Sequence, residues 1–300
     1  MYFIMTNDVE NFSLSSNSED PQVAKQIYNE ALPKLLSVLS KNDIKSTFYF
    51  TGTFCEESPE SVELVMEHGH DIGCHGYDHS NIHAFDSMNL EDQIADLNKV
   101  KYMIEKIAGR IWDFRAPALR INEDTIKALE KTGFNTDSSI ASQRFDGPFT
   151  SGSKKKLRWM TAPRHPYFLS YSSIVRNGAS NILEIPITAF ILSYIGTTMR
   201  VSPTTLRILE KFFFAESIMT EKPIVFLFHP NECLNLRSGI KPKKRGNNFI
   251  NQIFADYMRN KLKKRNLGQK AADLLDDVIQ RAKRAGFEFV TVQEYRKIIR

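Results

Sequence analysis

Short apolar runs alternate with segments of helical periodicity along most of the chain. Strands are predicted at the runs, over 2–6, 45–50, 71–74, 112–116, 134–137, 182–188, 224–229 and 287–292. Helices are predicted where apolar residues recur every three or four positions, over 27–39, 58–69, 89–107, 122–131, 202–223 and 271–285. Strands that alternate with helices of about 10–15 residues indicate βαβ units and a parallel sheet.

Seven or eight such units predict an α/β fold whose sheet closes into a distorted (β/α) barrel. An open doubly wound sheet is the alternative. The sequence disfavours it, because no G-x-G-x-x-G turn follows the first strand. We interpret 1–300 as one barrel domain. Residues 141–181 are polar and have no clear period, so they are predicted to be a long insertion.

The composition excludes several classes of protein. Hydrophobic residues make up 42% and charged residues 25%, which is typical of a globular chain and not of a disordered one. No run reaches the roughly 18 apolar residues of a membrane-spanning helix. We expect a cytoplasmic location, because the first residues show no secretory signal. Three cysteines without a C-x-x-C motif disfavour a disulfide framework and a thiolate zinc site.

Positive charge is concentrated in the basic segment 237–265. It holds ten Lys or Arg residues and one acid, a net charge of +9, whereas the whole chain carries +5. Such a segment can bind anionic lipid or a phosphorylated substrate, or it can be a solvated loop. No nucleic-acid-binding signature accompanies it, so nucleic acid is not expected as a partner. Apolar residues between its two halves leave peripheral contact with the inner face of a membrane open.

Polar residues follow five of the predicted strands. In a (β/α) barrel, the carboxyl ends of the strands carry the chemistry. The polar sets begin at Asp8, His75, Arg115, Asp137 and His229. Since each set follows its own apolar run, we expect them to meet at one edge of the barrel.

A metal site is predicted among these residues. His75 and His79 are four positions apart, and Glu10 and Asp8 are carboxylates at a neighbouring strand end. Two imidazoles and one carboxylate are a common set for a catalytic divalent metal. His79 and His83 have the same spacing and are the alternative pair. These ligand types suit one zinc ion first, with cobalt, nickel, manganese or iron as alternatives.

The remaining polar residues suit acid–base chemistry beside such a metal. A bound metal would polarise an amide carbonyl and lower the pKa of a bound water towards ~7. Asp8 suits the base that takes the proton of this water, and His229 suits the acid that protonates the leaving nitrogen. Arg115 would keep Asp8 ionised through a charge-assisted pair. In the alternative interpretation, all three residues serve the fold: a loop cap, an ion pair and a strand end.

In order and spacing, these motifs resemble those of the polysaccharide deacetylase family, the NodB-homology carbohydrate esterases. The resemblance covers about 1–232, and its most specific segment is DIGCHGYDH. The other segments that carry it are IMTNDVE, STFYFTG, WDFRAPALRIN, FNTDSSI and IVFLFHPNE.

The resemblance implies a TIM-related (β/α) barrel with a single divalent metal, and a hydrolase that removes acyl groups, usually acetyl, from sugars. It implies that the backbone near Ala118 helps to bind the oxyanion. The other roles carried over by position are Asp8 as base, His75 and His79 as metal ligands, Arg115 as the residue that orients the base, His229 as acid and Asp137 as a supporting acid.

The sequence departs from the family pattern at three places. The second Asp of the usual T-F-D-D motif is replaced by Val9, so Glu10 is the expected ligand. Such D-V-E motifs are similar to those of a branch that includes intracellular and lipid-linked-sugar deacetylases. Ser138 and Ser139 stand where the fourth motif usually has Trp. The late His-Pro-x-Glu motif makes Glu232 a further candidate for binding substrate.

The sequence thus predicts a metal-dependent hydrolase that removes an N-acyl group, acetyl or formyl, from an amino-sugar derivative that is free or linked to phosphate or lipid. Trp159 and His165 of the insertion are expected at the substrate wall. Two alternatives are a hydrolase of non-sugar linear or cyclic amides, and a binding protein that lost its metal through Val9. The sequence does not indicate an oligomeric state.

Overall fold

The structure is a computed structural model that describes residues 1–16, 18–145, 154–235 and 259–299. The strands of these parts, in chain order, are β1 Tyr2–Val9, β2 Phe12–Ser13, β3 Ser18–Glu19, β4 Thr47–Phe50, β5 Asp71–Cys74, β6 Asp113–Phe114, β7 Thr136–Asp137, β8 Tyr167–Ser170, β9 Ser173–Asn177, β10 Leu183–Glu184, β11 Ala189–Phe190, β12 Leu192–Ser193, β13 Ile224–Phe228 and β14 Glu288–Val290.

Helices alternate with these strands. The α-helices are α1 Gln22–Gln26, α2 Leu32–Lys41, α3 Gly52–Glu57, α4 Glu60–Glu67, α5 Leu90–Ala108, α6 Glu123–Lys131, α7 Gly196–Val201, α8 Pro203–Thr220, α9 Arg259–Lys263, α10 Gln269–Arg284 and α11 Val292–Ile298. A π-helical turn joins α1 to α2, and short 3-10 helices span Pro117–Leu119, Lys154–Thr161 and Pro230–Cys233. No helix in the described parts of the chain is long and apolar enough to cross a bilayer.

A curled sheet forms the core, with parallel strands in the order β13-β1-β4-β5-β6-β7-β10. Every residue of β13 is buried, as expected for a parallel strand covered on both faces. The two ends of this array meet at Thr188, whose N–H donates to the Val225 carbonyl over 3.1 Å. The Val225 N–H donates back to Thr188 Oγ1 over 2.9 Å. The predicted distorted (β/α) barrel is therefore confirmed.

Capping residues set the starts of the long helices, as their sequence positions predict. Asn89 Oδ1 accepts a hydrogen bond from the Asp92 N–H at the start of α5. Asn122 makes the same kind of cap for α6, and Ser202 caps α8. These caps satisfy backbone donors that the first helical turn leaves without partners.

The prediction for 141–181 was wrong in part. In this segment β8 and β9 form an antiparallel hairpin, and β8 also pairs with β10, so the hairpin extends the central sheet. Tyr167 and Leu169 are buried while Phe168 between them is exposed. This alternation is the strand signal that the polar composition around it obscured.

The predicted last strand, 287–292, is shorter than expected. It ends at Val290, because Thr291 and Glu294 form a reciprocal capping box that starts α11. Most of the basic segment, 237–258, lies outside the described residues. The interpretation of 1–300 as one domain stays a prediction.

Candidate metal centre

A cavity of about 1210 Å³ opens at the carboxyl ends of the barrel strands. Its wall includes five of the predicted catalytic and metal-binding residues, from three different strand ends: Asp8, Glu10, His75, His79 and His229. Parallel strands bring their carboxyl ends to the same edge, so residues far apart in sequence meet there.

Strand geometry explains why Glu10 and not Val9 reaches this cavity. Side chains two positions apart on an extended segment point to the same side. Asp8 and Glu10 both lie in the cavity wall, whereas Val9 is fully buried in the hydrophobic core. The replacement at Val9 therefore leaves the edge with two carboxylates.

A tight turn presents the two histidines to the carboxylates. It depends on Gly76, which has a φ of +63° and where a Cβ would lie 2.8 Å from Pro117. Any other residue would meet both strain and a clash at this position. The imidazole rings of His75 and His79 lie 5.4 Å apart, centroid to centroid.

Glu10, His75 and His79 form a set that fits a divalent cation. One ligand atom from each residue lies within 4.8 Å of the others. Glu10 Oε2 and His79 Nε2 are in contact, and both atoms are buried without a hydrogen-bond partner among the described residues. Buried polar atoms without partners are costly. A shared cation would satisfy them.

The tautomer of His75 agrees with a ligand role. Its Nδ1 donates a hydrogen bond of 2.8 Å to the carbonyl of Arg115, and a carbonyl can only accept. The lone pair of the neutral ring is therefore on Nε2, which faces Asp8 and Glu10. Burial lowers the pKa of His75 to about 4 and keeps the ring neutral. Metal-bound histidines usually have such a carbonyl partner on the other nitrogen.

The alternative pair, His79 and His83, is not brought together with Glu10. His83 Nδ1 lies 2.7 Å from Asp96 Oδ1, and its ring packs on Tyr77 with centroids 4.7 Å apart. The cluster therefore contains His75, whereas His83 is paired with Asp96 of α5.

Arg115 orients the carboxylate of Asp8. Its guanidinium is fully buried and donates to Asp8 Oδ1 over 2.8 Å and to Thr6 Oγ1 over 2.9 Å. The remaining donors bind the carbonyl and hydroxyl of Ser138. The second carboxylate oxygen, Asp8 Oδ2, faces the metal set 3.7 Å from His75 Nε2. One oxygen of Asp8 is thus held in place while the other faces the cavity.

His229 lines the cavity directly after β13, with Nδ1 3.8 Å from Glu232 Oε1. Glu232 is buried and forms an ion pair with Arg200, whose Nε is 2.9 Å from Oε2. Thr197 Oγ1 also donates to Glu232 over 3.1 Å. Although Glu232 borders the cavity, this pairing directs its carboxylate to the protein behind His229.

Asp137 does not join the metal set. It lies on β7 opposite Glu184 of β10, and the Ser139 hydroxyl donates to it. Burial raises the pKa of Asp137 to about 6 and raises the pKa of Glu184 well above its usual value. Two adjacent carboxyls can stay buried if the protonated Glu184 donates to Asp137. Sequence analysis missed Glu184, although a lone charge inside the apolar run 182–187 is a signal for it.

This carboxyl pair predicts a pH dependence of stability. Because folding raises the pKa of Glu184, the proton that it holds stabilises the fold below the unfolded pKa, and this stabilisation is lost as pH rises. Glu184→Gln keeps a donor to Asp137 but does not titrate. Between about pH 5 and 7, we expect the wild type to lose about 1.4 kcal/mol more per pH unit than the variant.

Urea unfolding at a series of pH values measures this difference. Glu63→Gln, an exposed change on α4, is the control and should keep the wild-type slope. Equal slopes for Glu184→Gln and the wild type would show that no proton is held at this pair.

The predicted substrate wall is corrected by the structure. Trp159 is buried in the core and His165 is exposed, and neither is among the described residues that line the cavity. The insertion contributes Arg144 and Phe145 to the wall instead. Trp159 is buried because its 3-10 helix packs against the barrel, where its carbonyl accepts the N–H of Gln143.

Ala118 does line the cavity, in a backbone conformation that non-glycine residues rarely adopt. Its φ is 51°, and that of Leu119 is 57°. Such strain is concentrated at functional sites. A further wall residue that sequence analysis missed is Glu19, which accepts the backbone N–H of His79 over 2.9 Å.

Residues 21–136 match the sequence profile of the family described as polysaccharide deacetylase. This part of the chain is therefore similar to the polysaccharide deacetylase family. The matched range includes His75, His79 and Arg115. Asp8 and Glu10 precede it in the sequence, and His229 follows it.

Two relatives carry names of the same kind. The chain is 27% identical over 108 residues to the peptidoglycan-N-acetylmuramic acid deacetylase PdaA of Bacillus subtilis, which covers 36% of the chain and 41% of that protein. It is 31% identical over 156 residues to a peptidoglycan deacetylase-like protein of Gibberella zeae, which covers 48% of the chain and 45% of that protein. The chain thus spans less than half the length of either relative.

A solved structure supports the fold of this chain. The crystal structure of a Mycobacterium smegmatis protein named for the same family superposes with a TM-score of 0.54 at 18% identity. The superposition covers 77% of this chain and 78% of that one.

Proposed function

We propose that this protein is a metal-dependent hydrolase that removes the N-acetyl or N-formyl group from an amino-sugar derivative. One observation carries the proposal. The buried set of Glu10, His75 and His79 lies beside an arginine-held Asp8 in a cavity large enough for a sugar. The family match over 21–136 and the names of the two relatives support the choice of an N-acetylated amino sugar.

Glu10, His75 and His79 would hold the metal, zinc in this proposal. Cobalt, nickel, manganese and iron accept the same ligand types. A divalent cation bound there supplies Lewis acidity to the amide carbonyl and to a water molecule. Val9 was the basis for the alternative of a metal-free binding protein; the position of Glu10 beside His75 and His79 supports the metal-dependent enzyme instead.

In this proposal Asp8 and His229 each carry out one of the two proton transfers of the hydrolysis. Asp8 Oδ2 takes a proton from the attacking water, while Arg115 holds the other oxygen of the same carboxylate. His229, which also lines the cavity, donates a proton to the amide nitrogen as the carbon–nitrogen bond breaks. The products are a carboxylic acid and a free amino sugar. In this proposal the backbone at Ala118, which lines the cavity, binds the developing oxyanion.

The substrate in this proposal is a free, phosphate-linked or lipid-linked amino sugar. The net positive charge of 237–265 supports an anionic carrier, or contact with an anionic membrane surface. The proposed location is the cytoplasm, peripheral to the inner face of the membrane. Fractionation of cells that express the protein would test this location.

An end-product assay tests the proposal. The purified protein is incubated with N-acetylated amino sugars that are free, phosphate-linked or lipid-linked, and acetate and primary amine are both measured. We expect equal amounts of the two, none in the presence of EDTA, and recovery on addition of zinc. Cleavage of simple cyclic or linear amides without any cleavage of amino sugars would contradict the proposal.

A further inference from the structure

An exposed apolar surface borders the mouth of the cavity. One part is the turn between β11 and β12, and the other is one face of α8. We call this surface the apolar rim; its large side chains are 40–83% exposed and comprise Phe190, Ile191, Leu192, Ile208, Phe212 and Met219. Large contiguous apolar surfaces usually mark interaction sites.

The α8 part of the rim has helical order. Ile208, Phe212, Ala215 and Met219 are four, three and four positions apart, and all are exposed. This spacing places them on one face of the helix. The opposite face of α8 contributes Phe213 to the core.

The turn and the helix form one rigid surface. The rings of Phe190 and Phe212 pack with centroids 5.0 Å apart. Arg164 lies beside both rings and binds the carboxylate of Glu216 on α8 and the carbonyl of Ala189 before the turn. The turn is therefore fastened to the helix.

Backbone strain holds the turn in its exposed position. Ile191 has a φ of +61°, which is an outlier for a β-branched residue. Its N–H and carbonyl are both engaged with the backbone of 143–145. Strain and the exposure of apolar side chains both disfavour the folded protein, so their coincidence here indicates a function.

The apolar rim continues into the cavity. Ile191 and Leu192 belong both to the rim and to the cavity wall. Inside, the apolar surface continues along further aliphatic and aromatic side chains: Phe12, Leu14, Ile195, Val201 and Leu262. We call these apolar lining residues the apolar track; they line the same cavity as the metal set.

We propose that the apolar rim lies on a lipid surface with anionic headgroups and that a hydrocarbon chain of the substrate follows this track. The statement about the hydrocarbon chain of the substrate rests on the proposed function. Arg207 and Lys211 are exposed on α8 next to the apolar face, and Lys263 lies in the cavity wall. The acids on this side are Asp277, 3.7 Å from Arg207, Glu216, which is paired with Arg164 and Lys222, and Glu221 at the end of α8.

Charge favours a membrane over a second copy of the chain as the partner. An amphipathic helix with basic residues beside its apolar face is the usual form of an interfacial helix, and anionic headgroups attract such residues. A twofold contact would bring the same surface of two copies together, including both sets of Arg207 and Lys211.

Vesicle sedimentation tests the proposal without any substrate. The full chain is mixed with vesicles of phosphatidylcholine and phosphatidylglycerol. We expect the wild type to sediment with them, and I208E/M219E to bind at least about tenfold more weakly. The matched control Y102E/I298E introduces two acids at exposed apolar positions on α5 and α11, and it should bind like the wild type.

Ile191→Asn separates a binding role from a structural one. Asn tolerates a positive φ, so this variant should melt at the wild-type temperature or above it and still bind vesicles more weakly. Equal losses in both double variants, or a change from dimer to monomer in I208E/M219E, would overturn the proposal. Because no turnover is measured, this result is independent of whether the protein deacetylates amino sugars.

Discussion

His75→Ala should reduce bound metal from near one ion per chain to below about a tenth. His75 supplies one of three converging ligand atoms, and removal of mere supporting partners already costs about 10–100-fold in affinity. Glu10→Ala should have the same effect, because its Oε2 contacts His79. Elemental analysis after reconstitution with zinc and dialysis measures both. His83→Ala is the matched control, since His83 is paired with Asp96, and it should keep its metal.

The two variants together distinguish the carboxylate ligands. If metal were lost in His75→Ala but kept in Glu10→Ala, Asp8 would be the ligand and the base would have to be another group. If the wild type bound no metal even after reconstitution, the hydrolase proposal would fail. If both variants lost metal while His83→Ala kept it, the question would turn to which amide is cleaved.

The active edge of the barrel was predictable because parallel strands impose it. Asp8, His75, Arg115 and His229 each follow an apolar run, and the carboxyl ends of such runs must meet at one edge. The position of Glu10 follows from the two-residue period of an extended chain. The choice between His75 and His83 as partner of His79 did not follow from spacing. It depended on Asp96, a residue of α5 that engages His83.

The sequence did not predict the partners of two buried carboxylates, Asp137 and Glu232. Asp137 was expected to support the site, but its partner is Glu184, 47 positions later in the chain. Glu232 was expected to bind substrate, and its ion pair with Arg200 depends on how α7 packs against the end of β13. Such pairings follow from tertiary packing, which local periodicity does not encode.

The dependence on tertiary packing also explains why the prediction for the insertion, 141–181, was wrong in part. Its polar residues and the absence of a helical period suggested a loop, and the aromatic side chains suggested a substrate wall. The hairpin of β8 and β9 forms because β10 presents a free edge, and Trp159 fills the core where the 3-10 helix docks. Solvent exposure of a segment is decided by its neighbours as much as by its own composition.

Asp8→Asn should lower kcat by about 10²–10⁴-fold while the metal stays bound. Asparagine has nearly the shape of aspartate, and its oxygen can still accept the hydrogen bond that Arg115 donates to Asp8 Oδ1. The amide cannot take a proton from water, so only the base is removed. KM should change little, because the sugar would contact the same wall. Deacetylation rates and metal content of the same preparation measure the two effects.

Asp113→Asn is the control for this change, because it removes a buried carboxyl that is not at the cavity. Burial raises the pKa of Asp113 to about 7, and its side chain contacts Gln293 on α11. Its kcat should match that of the wild type. Loss of metal in Asp8→Asn would make Asp8 a ligand. A kcat within tenfold of the wild type would assign the base to another group, since no rearrangement of the Arg115 contacts restores a proton acceptor at that position.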